Sequence, residues 1–373
     1  MWERTASSQC DMSNNPHCAP WLNADMIATL ESLKRLDEQG YLYYMDCLWD
    51  YDTEPVTAKL MAGYGLADAG CSVFAAVNTD GHPLTCRNYD YRHRENNTGD
   101  ITGLNVVVRC APKGKYRSIG VADGFWLDRT GGSFFKGVLD DGKTDISPAV
   151  MLPFICMDGM NEKGLAVSIL AQPLRPGEAC VNQTAEGKPR ITYTVFMRKL
   201  LDECDSVENA VKLAQGVNMS SPNGADYRLF VSDAAGASVA FEWRFNKLHI
   251  CRTRLSTNFY ITYDDAQDRY DAKGELTETA AHLEGIRSYN RYGYGGGYLR
   301  YACILAQLER FTDSTGKTVI TERRANTILD SAAQGVGAEP TSLTQYSVIY
   351  APAELTQTVR PLPEYDKSYK FRI

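Results

Sequence analysis

"GCSVFAAVNTDGHPLTCRNYD", residues Gly70–Asp90, is the stretch on which the fold turns. "CSVFAAV" and "PLTCRNY" are strand-like, and "NTDGH" between them supplies the Asn, Asp and Gly that a tight reversal needs, so the stretch predicts a β-hairpin. Both faces of the first strand are apolar, which implies cover on two sides. In a hairpin centred near Thr79-Asp80, facing residue numbers sum to about 159, placing Cys71 across from the Arg87-Asn88 pair with Cβ atoms about 4.5–5.5 Å apart. Arg87 then comes within reach of the sulfur. A permanent cation there favours thiolate and lowers a cysteine pKa from its free value of about 8.5. Asp90 faces the other side of a straight strand and joins the sulfur only if the backbone turns at the strand's end.

No histidine stands near Cys71 to act as a base. Cutting the Gly70–Cys71 bond would supply one, because Cys71 would then carry an α-amino group with pKa about 7.7–8.0 on the nucleophile's own residue. Gly70 suits this idea, since glycine permits the unusual backbone geometry of an N-to-S acyl shift. The residues alone fit a buried cysteine beside a structural Arg–Asp pair equally well.

The rest of the chain bounds the reading. With 373 residues, 44% apolar and 23% charged, the composition is globular. A net charge of -7 argues against nucleic acid and for a small-molecule partner. No apolar run approaches the roughly 20 residues of a membrane helix, and no signal-peptide core follows Met1. The chain as it stands reads as cytoplasmic, or as secreted or surface-anchored if a signal peptide once preceded it. Eleven scattered cysteines form no disulfide framework, and without CxxC or HExxH no metal or other cofactor is expected.

Residues 1–70 read as their own unit, a prosegment, with Asn23 capping a helix that runs toward Gly40, an extended "YLYYMDCLWDY", and a linker or cleavage segment "TAKLMAGYGLADAG". Residues 71–373 read as a second domain. Strands "LNVVVRCA", "YRSIGVA", "GLAVSIL", "YRLFVSD" and "ASVAFEW" follow the hairpin, and helical periodicity marks "YTVFMRKLLDE", "SVENAVKLAQG", "YLRYACILAQLERF" and "ERRANTILDSAAQ". Strands and helices in blocks predict an antiparallel α+β layer fold.

"GVLDDGKT" at Gly137–Thr144 fits the P-loop expression, yet it carries two aspartates and is followed by Pro148, so it reads as a surface turn. "GYGGGYLR" at Gly293–Arg300 reads as a flexible loop leading into a helix. Asn96, Asn182 and Asn218 head N-x-[ST] triplets that carry little weight alone.

The chain resembles the choloylglycine hydrolases, or linear amide C–N hydrolases, which include conjugated bile salt hydrolases and penicillin V acylases and belong to the N-terminal-nucleophile hydrolases. The resemblance rests on "CSVFAAVNTDGHPLTCRNYD", with Arg sixteen and Asp nineteen residues after the Cys, on "DGMNEKGL" at Asp158–Leu165, "VSDAAGASVAFE", "STN" at Ser256–Asn258 and "TQYS" at Thr344–Ser347. It implies a four-layer αββα sandwich with Cys71 as nucleophile, Arg87 as thiolate-contacting arginine and Asp90 as amine-orienting aspartate. A second arginine near the nucleophile falls on Arg300, the oxyanion asparagine on Asn223 beside Gly224, and the backbone oxyanion donor on Ala171. The long segment before Cys71 resembles that of acid ceramidases and acylethanolamide amidases, cut off by the enzyme itself. The expected function is cleavage of an N-acyl amide after autoprocessing at Gly70–Cys71; the alternative is a catalytically silent binding or regulatory homologue that keeps the prosegment. A homo-oligomer or a prosegment–core complex is open at this level.

Overall fold

A computed structural model describes residues 21–52, 69–91, 93–94, 100–101, 105–127, 146–172, 174, 177–221, 224–262, 272–273, 275, 297–335, 343–362 and 366–373. "GVLDDGKT", Asn223, the Asn96 triplet, Gly293–Gly296 and most of the expected cleavage segment lie outside the described residues.

Among the described residues, fifteen strands build the two main sheets: β1 Lys34–Arg35, β2 Leu42–Cys47, β3 Ala69–Val77, β4 Pro83–Tyr91, β5 Asn105–Cys110, β6 Ser118–Asp123, β7 Cys156–Asn161, β8 Ala166–Gln172, β9 Asp226–Ser232, β10 Ser238–Arg244, β11 Lys247–Cys251, β12 Leu255–Thr257, β13 Thr344–Ala351, β14 Thr356–Pro361 and β15 Tyr369–Arg372. The larger sheet runs β1-β2-β5-β6-β7-β8-β9-β10-β11 and the smaller β12-β3-β4-β13-β14-β15. Helices α1 Ala24–Glu31, α2 Tyr193–Glu203 and α3 Val207–Gln215 pack with the larger sheet, while α4 Gly297–Glu309 and α5 Glu322–Ala332 cover the smaller one.

The alternation along β3 explains the layering. Cys71 and Val73 join the core shared with the large sheet and α2, whereas Phe74 and Ala76 face a second core with Tyr301, Ile304 and Leu308 of α4 and Ile328 and Leu329 of α5. A strand apolar on both faces therefore sits between two layers, and the expected αββα sandwich is the observed fold.

The hairpin forms as expected, with Asn78 Oδ1 accepting from the backbone N–H of Asp80 and His82 and Gly81 at φ +85° in the turn. Its register is one step from the expected one: Cys71 faces Tyr89 and Val73 faces Arg87, so Arg87 is the diagonal neighbour of Cys71 on the same face.

One expectation for the first segment changes. The helix capped by Asn23, whose Oδ1 accepts from Met26 N at 2.9 Å, ends at Glu31 rather than near Gly40. The intervening residues form β1 and a turn in which Asp37 accepts from the N–H groups of Gly40, Tyr41 and Leu42. The segment also shares its core with the rest: β2 pairs in parallel with β5, and Leu30, Leu33, Leu42, Tyr43 and Met45 are buried in the main core.

Candidate active site

Cys71 is the third residue of β3 and is buried between the sheets. Arg87 on β4 points Nη2 at its sulfur, 3.5 Å away. That guanidinium is held rigidly from the opposite sheet: Nη1 donates to Asp158 Oδ2 at 2.8 Å and to the Met157 carbonyl, and Nη2 to the Ile169 carbonyl at 2.6 Å. Asp158 is held in turn by the hydroxyls of Tyr346, at 2.5 Å, and Tyr350. Burial opposes the charge on Arg87, but Asp158 and Cys71 outweigh it and keep the guanidinium protonated. For Cys71 the balance runs against expectation: burial pushes the thiol up, and Arg87 pulls it down only in part. The lowering influence is present, and it loses to desolvation while Cys71 remains joined to Gly70.

The nitrogen of Cys71 donates to Asn258 Oδ1, and Asn258 Nδ2 donates to the Ala171 carbonyl at 2.7 Å. Asn258 thus links the nucleophile's residue to the end of β8. Arg300, in the first turn of α4, completes the cluster by donating to Cys71 O at 2.6 Å, Ser72 Oγ at 2.7 Å and Asn258 Oδ1 at 2.9 Å. Gly297 lets the helix come this close, because a Cβ there would lie 2.6 Å from the Asn258 carbonyl oxygen.

Asp90 pairs with Gly70 in the β3–β4 ladder and is fully buried. Its carboxylate accepts from Thr344 Oγ1 at 2.6 Å and Gln334 Nε2 at 3.3 Å and lies 3.5 Å from Arg300 Nη1. Burial pushes its carboxyl up to about 6, against the pull of Arg300 and these hydrogen bonds. Asp90 therefore stands on the Arg300 side of the nucleophile, while the Cys71 nitrogen is held by Asn258. Gly70 lies in the extended ladder, so its place here calls for no special backbone geometry.

The structure brings Cys71, Arg87, Asp90, Ala171 and Arg300 together. Sequence reasoning quoted Asn258, Asp158 and Tyr346 inside matching motifs but assigned them no role. Arg228 was missed outright: it is buried on β9, pairs with Glu242, and donates to Ser256 Oγ at 2.8 Å and the Thr257 carbonyl at 3.2 Å, fixing β12 beneath Asn258. An arginine amid the apolar residues of "YRLFVSD" was the available signal. No cluster that could hold a metal ion occurs among the described residues.

The family model for acyl-coenzyme A:6-aminopenicillanic acid acyl-transferase matches residues 143–287. A solved structure of a mutant conjugated bile acid hydrolase from Clostridium perfringens superposes with TM-score 0.51 at 16% identity, covering 81% of this chain and 92% of that one. This is the N-terminal-nucleophile hydrolase fold. Penicillin V acylase from Agrobacterium tumefaciens superposes with TM-score 0.50 at 13% identity, covering 81% and 86%. Among curated proteins none matches by sequence. The resemblance to the choloylglycine hydrolases read from the motifs is borne out by the family model and these neighbours.

Proposed function

We propose that this chain is a cysteine amidohydrolase that cuts itself at Gly70–Cys71 and then cleaves the C–N bond of a linear N-acyl amide. The single observation that carries this reading is the sulfur of Cys71, 3.5 Å from a permanently charged Arg87, on a residue whose own nitrogen is held by Asn258. The fold shared with the conjugated bile acid hydrolase and the penicillin V acylase supports it.

In self-processing, Cys71 Sγ attacks the Gly70 carbonyl carbon, the C–N bond breaks as the acyl group shifts to sulfur, and water hydrolyses the thioester. Gly70 leaves as a carboxylate and Cys71 keeps a free amine. In turnover that amine takes the thiol proton as Sγ attacks the substrate carbonyl carbon and passes it to the leaving amine; water then hydrolyses the acyl-thioester on Cys71, releasing the acid and restoring the thiol. Asn258 Oδ1 orients the amine, Arg87 stabilises the thiolate, and Asp90 acts through Arg300, which grips the Cys71 carbonyl. The Ala171 N–H, at the end of β8, is the backbone donor assigned to the oxyanion, with Asn223 as its side-chain partner; loss of one such donor costs about 3–4 kcal/mol of barrier. Substrates of the conjugated bile salt, N-acyl amine or amino acid, and penicillin V types suit this chemistry.

Intact-mass analysis with N-terminal sequencing, alongside turnover of an acyl-amide panel, tests the reading. Wild type is expected to yield a chain beginning at Cys71 and to hydrolyse at least one amide, whereas Cys71→Ala stays uncut and inactive. An uncut wild-type chain that hydrolyses amides at an undiminished rate would overturn the mechanism, and an uncut, inactive one would favour the binding homologue.

A further inference from the structure

A second contact between sulfur and guanidinium lies across the large sheet from the hairpin. Cys47 of β2 and Cys110 of β5 face each other directly in the parallel ladder, and both are buried, at 4% and 0% exposure. Residues paired in register project to the same face, and neighbouring strands lie about 4.7–4.9 Å apart, inside the 4.4–6.8 Å spacing of Cα atoms that a disulfide spans. Arg198 of α2 sets its Nη1 3.6 Å from the Cys110 sulfur while its Nε and Nη2 donate to Asp202 and Ser118, at 2.9 and 2.6 Å. The guanidinium is thereby fixed beside one thiol of the pair. Cys47 instead directs its sulfur to the Trp49 carbonyl at 3.7 Å. The neighbouring Cys47 side chain and the charge of Arg198 hold the Cys110 thiol below its ordinary range despite burial. Both cysteines are free thiols in this structure.

We infer that Cys47 and Cys110 form a cross-linking site, a dithiol that a small disulfide such as oxidised glutathione converts to a disulfide between β2 and β5. Before the folding core closes over it, the Cys110 thiolate attacks one sulfur of the reagent, forming a mixed disulfide and releasing one thiolate. Cys47, losing its proton, then attacks the Cys110 sulfur and expels the second thiol. Two protein thiols are oxidised and one reagent disulfide is reduced to two thiols. Cβ atoms on parallel neighbours must draw together to reach disulfide distance, so the bond carries strain and is readily reversed by reductant. Cys47 precedes Gly70–Cys71 and Cys110 follows it. If the proposed self-cleavage occurs, a consequence that rests on that reading, the bond ties the two fragments covalently.

Peptide mapping of the full chain after oxidised glutathione, applied both to the folded protein and during refolding, tests the site. The expected result is a Cys47–Cys110 linked peptide pair that disappears with dithiothreitol and is absent in Cys47→Ser and Cys110→Ser. The Cys71→Ala chain, which stays uncut, is expected to give the same pair, so the cross-link is read independently of cleavage. In a cleaved wild-type chain, a non-reducing gel should show one band that reductant splits into two. Recovery of both cysteines as free thiols under both regimes, or their pairing only with other cysteines, overturns the inference.

Discussion

At the scale of the residue, four charged side chains, Arg87, Asp158, Asp90 and Arg300, set the chemistry around Cys71, and burial modifies each. Arg87 keeps its charge because Asp158 meets it from the other sheet, with Tyr346 and Tyr350 completing the carboxylate's shell. An ion pair removed from water persists only with its remaining lone pairs satisfied, which explains two tyrosines on one aspartate. Asp90 is less tightly held, and burial raises its carboxyl to about 6. Its ionised form is the one that pairs with Arg300 3.5 Å away, so activity should fall as pH drops through about 6. The free amine of Cys71 adds a second requirement near pH 7.7–8.0. The expected profile of log kcat/KM therefore rises with a slope of about two below pH 6 and about one from there to pH 8. Asp90→Asn should be slower and keep a slope of about one throughout; an unchanged steep limb in the variant would remove Asp90 from the mechanism. For stability the sign is opposite. A carboxyl raised from 3.8 to about 6 contributes fully below pH 3.8 and loses that contribution as pH rises past about 6.

At the scale of the element, close backbone approaches aim the side chains. The register shift between Thr344 and Tyr346 lets β13 send Thr344 Oγ1 to Asp90 and Tyr346 OH to Asp158, from neighbouring positions to opposite faces of the sheet. Gly297 does the same for α4: its carbonyl accepts from Thr257 Oγ1 at 2.7 Å, and the missing Cβ leaves room for Asn258. Gly297→Ala should push the first turn of α4 away and carry Arg300 off the Cys71 carbonyl. A displacement near 1 Å at a reacting centre costs on the order of 10²-fold, so kcat/KM is expected to drop by that order while circular dichroism stays native. Wild-type turnover in the variant would show that the approach does not position Arg300. The hairpin, Arg87 and the central helices were legible because they follow local patterns of turn residues and periodicity. Asn258 was not, because its bond to the Cys71 nitrogen joins residues 187 apart through the pairing of β12 with β3. The early end of α1 was hidden for a related reason: Asp37, helical by spacing, gathers three backbone N–H groups of a turn instead.

At the scale of the whole molecule, the described segment 21–52 before Cys71 forms one flank of the large sheet. Its texture differs from that of residues 71–373 and so reads as a separate unit, since a parallel pairing of β2 with β5 leaves no mark in local composition. The pairing is continuous from Leu42 opposite Asn105 to Cys47 opposite Cys110, and α1 buries Leu30 against the same core. Fully burying a leucine-sized side chain contributes about 1.5–3 kcal/mol, so Leu30, Leu33, Leu42 and Met45 together represent a large share of the 5–15 kcal/mol that holds an ordinary domain folded. Cutting one peptide bond at Gly70 removes none of these contacts. The fragment carrying β2 is therefore expected to stay bound after processing, co-eluting with the Cys71 chain in size-exclusion chromatography under reducing conditions and separating in urea only as the whole molecule unfolds. A chain made to begin at Cys71 should by contrast expose β5 as a long apolar edge and aggregate or fail to fold. Were that truncated chain to fold with native thermal stability and full amidase activity, α1 and β2 would be dispensable and their burial irrelevant to the working enzyme.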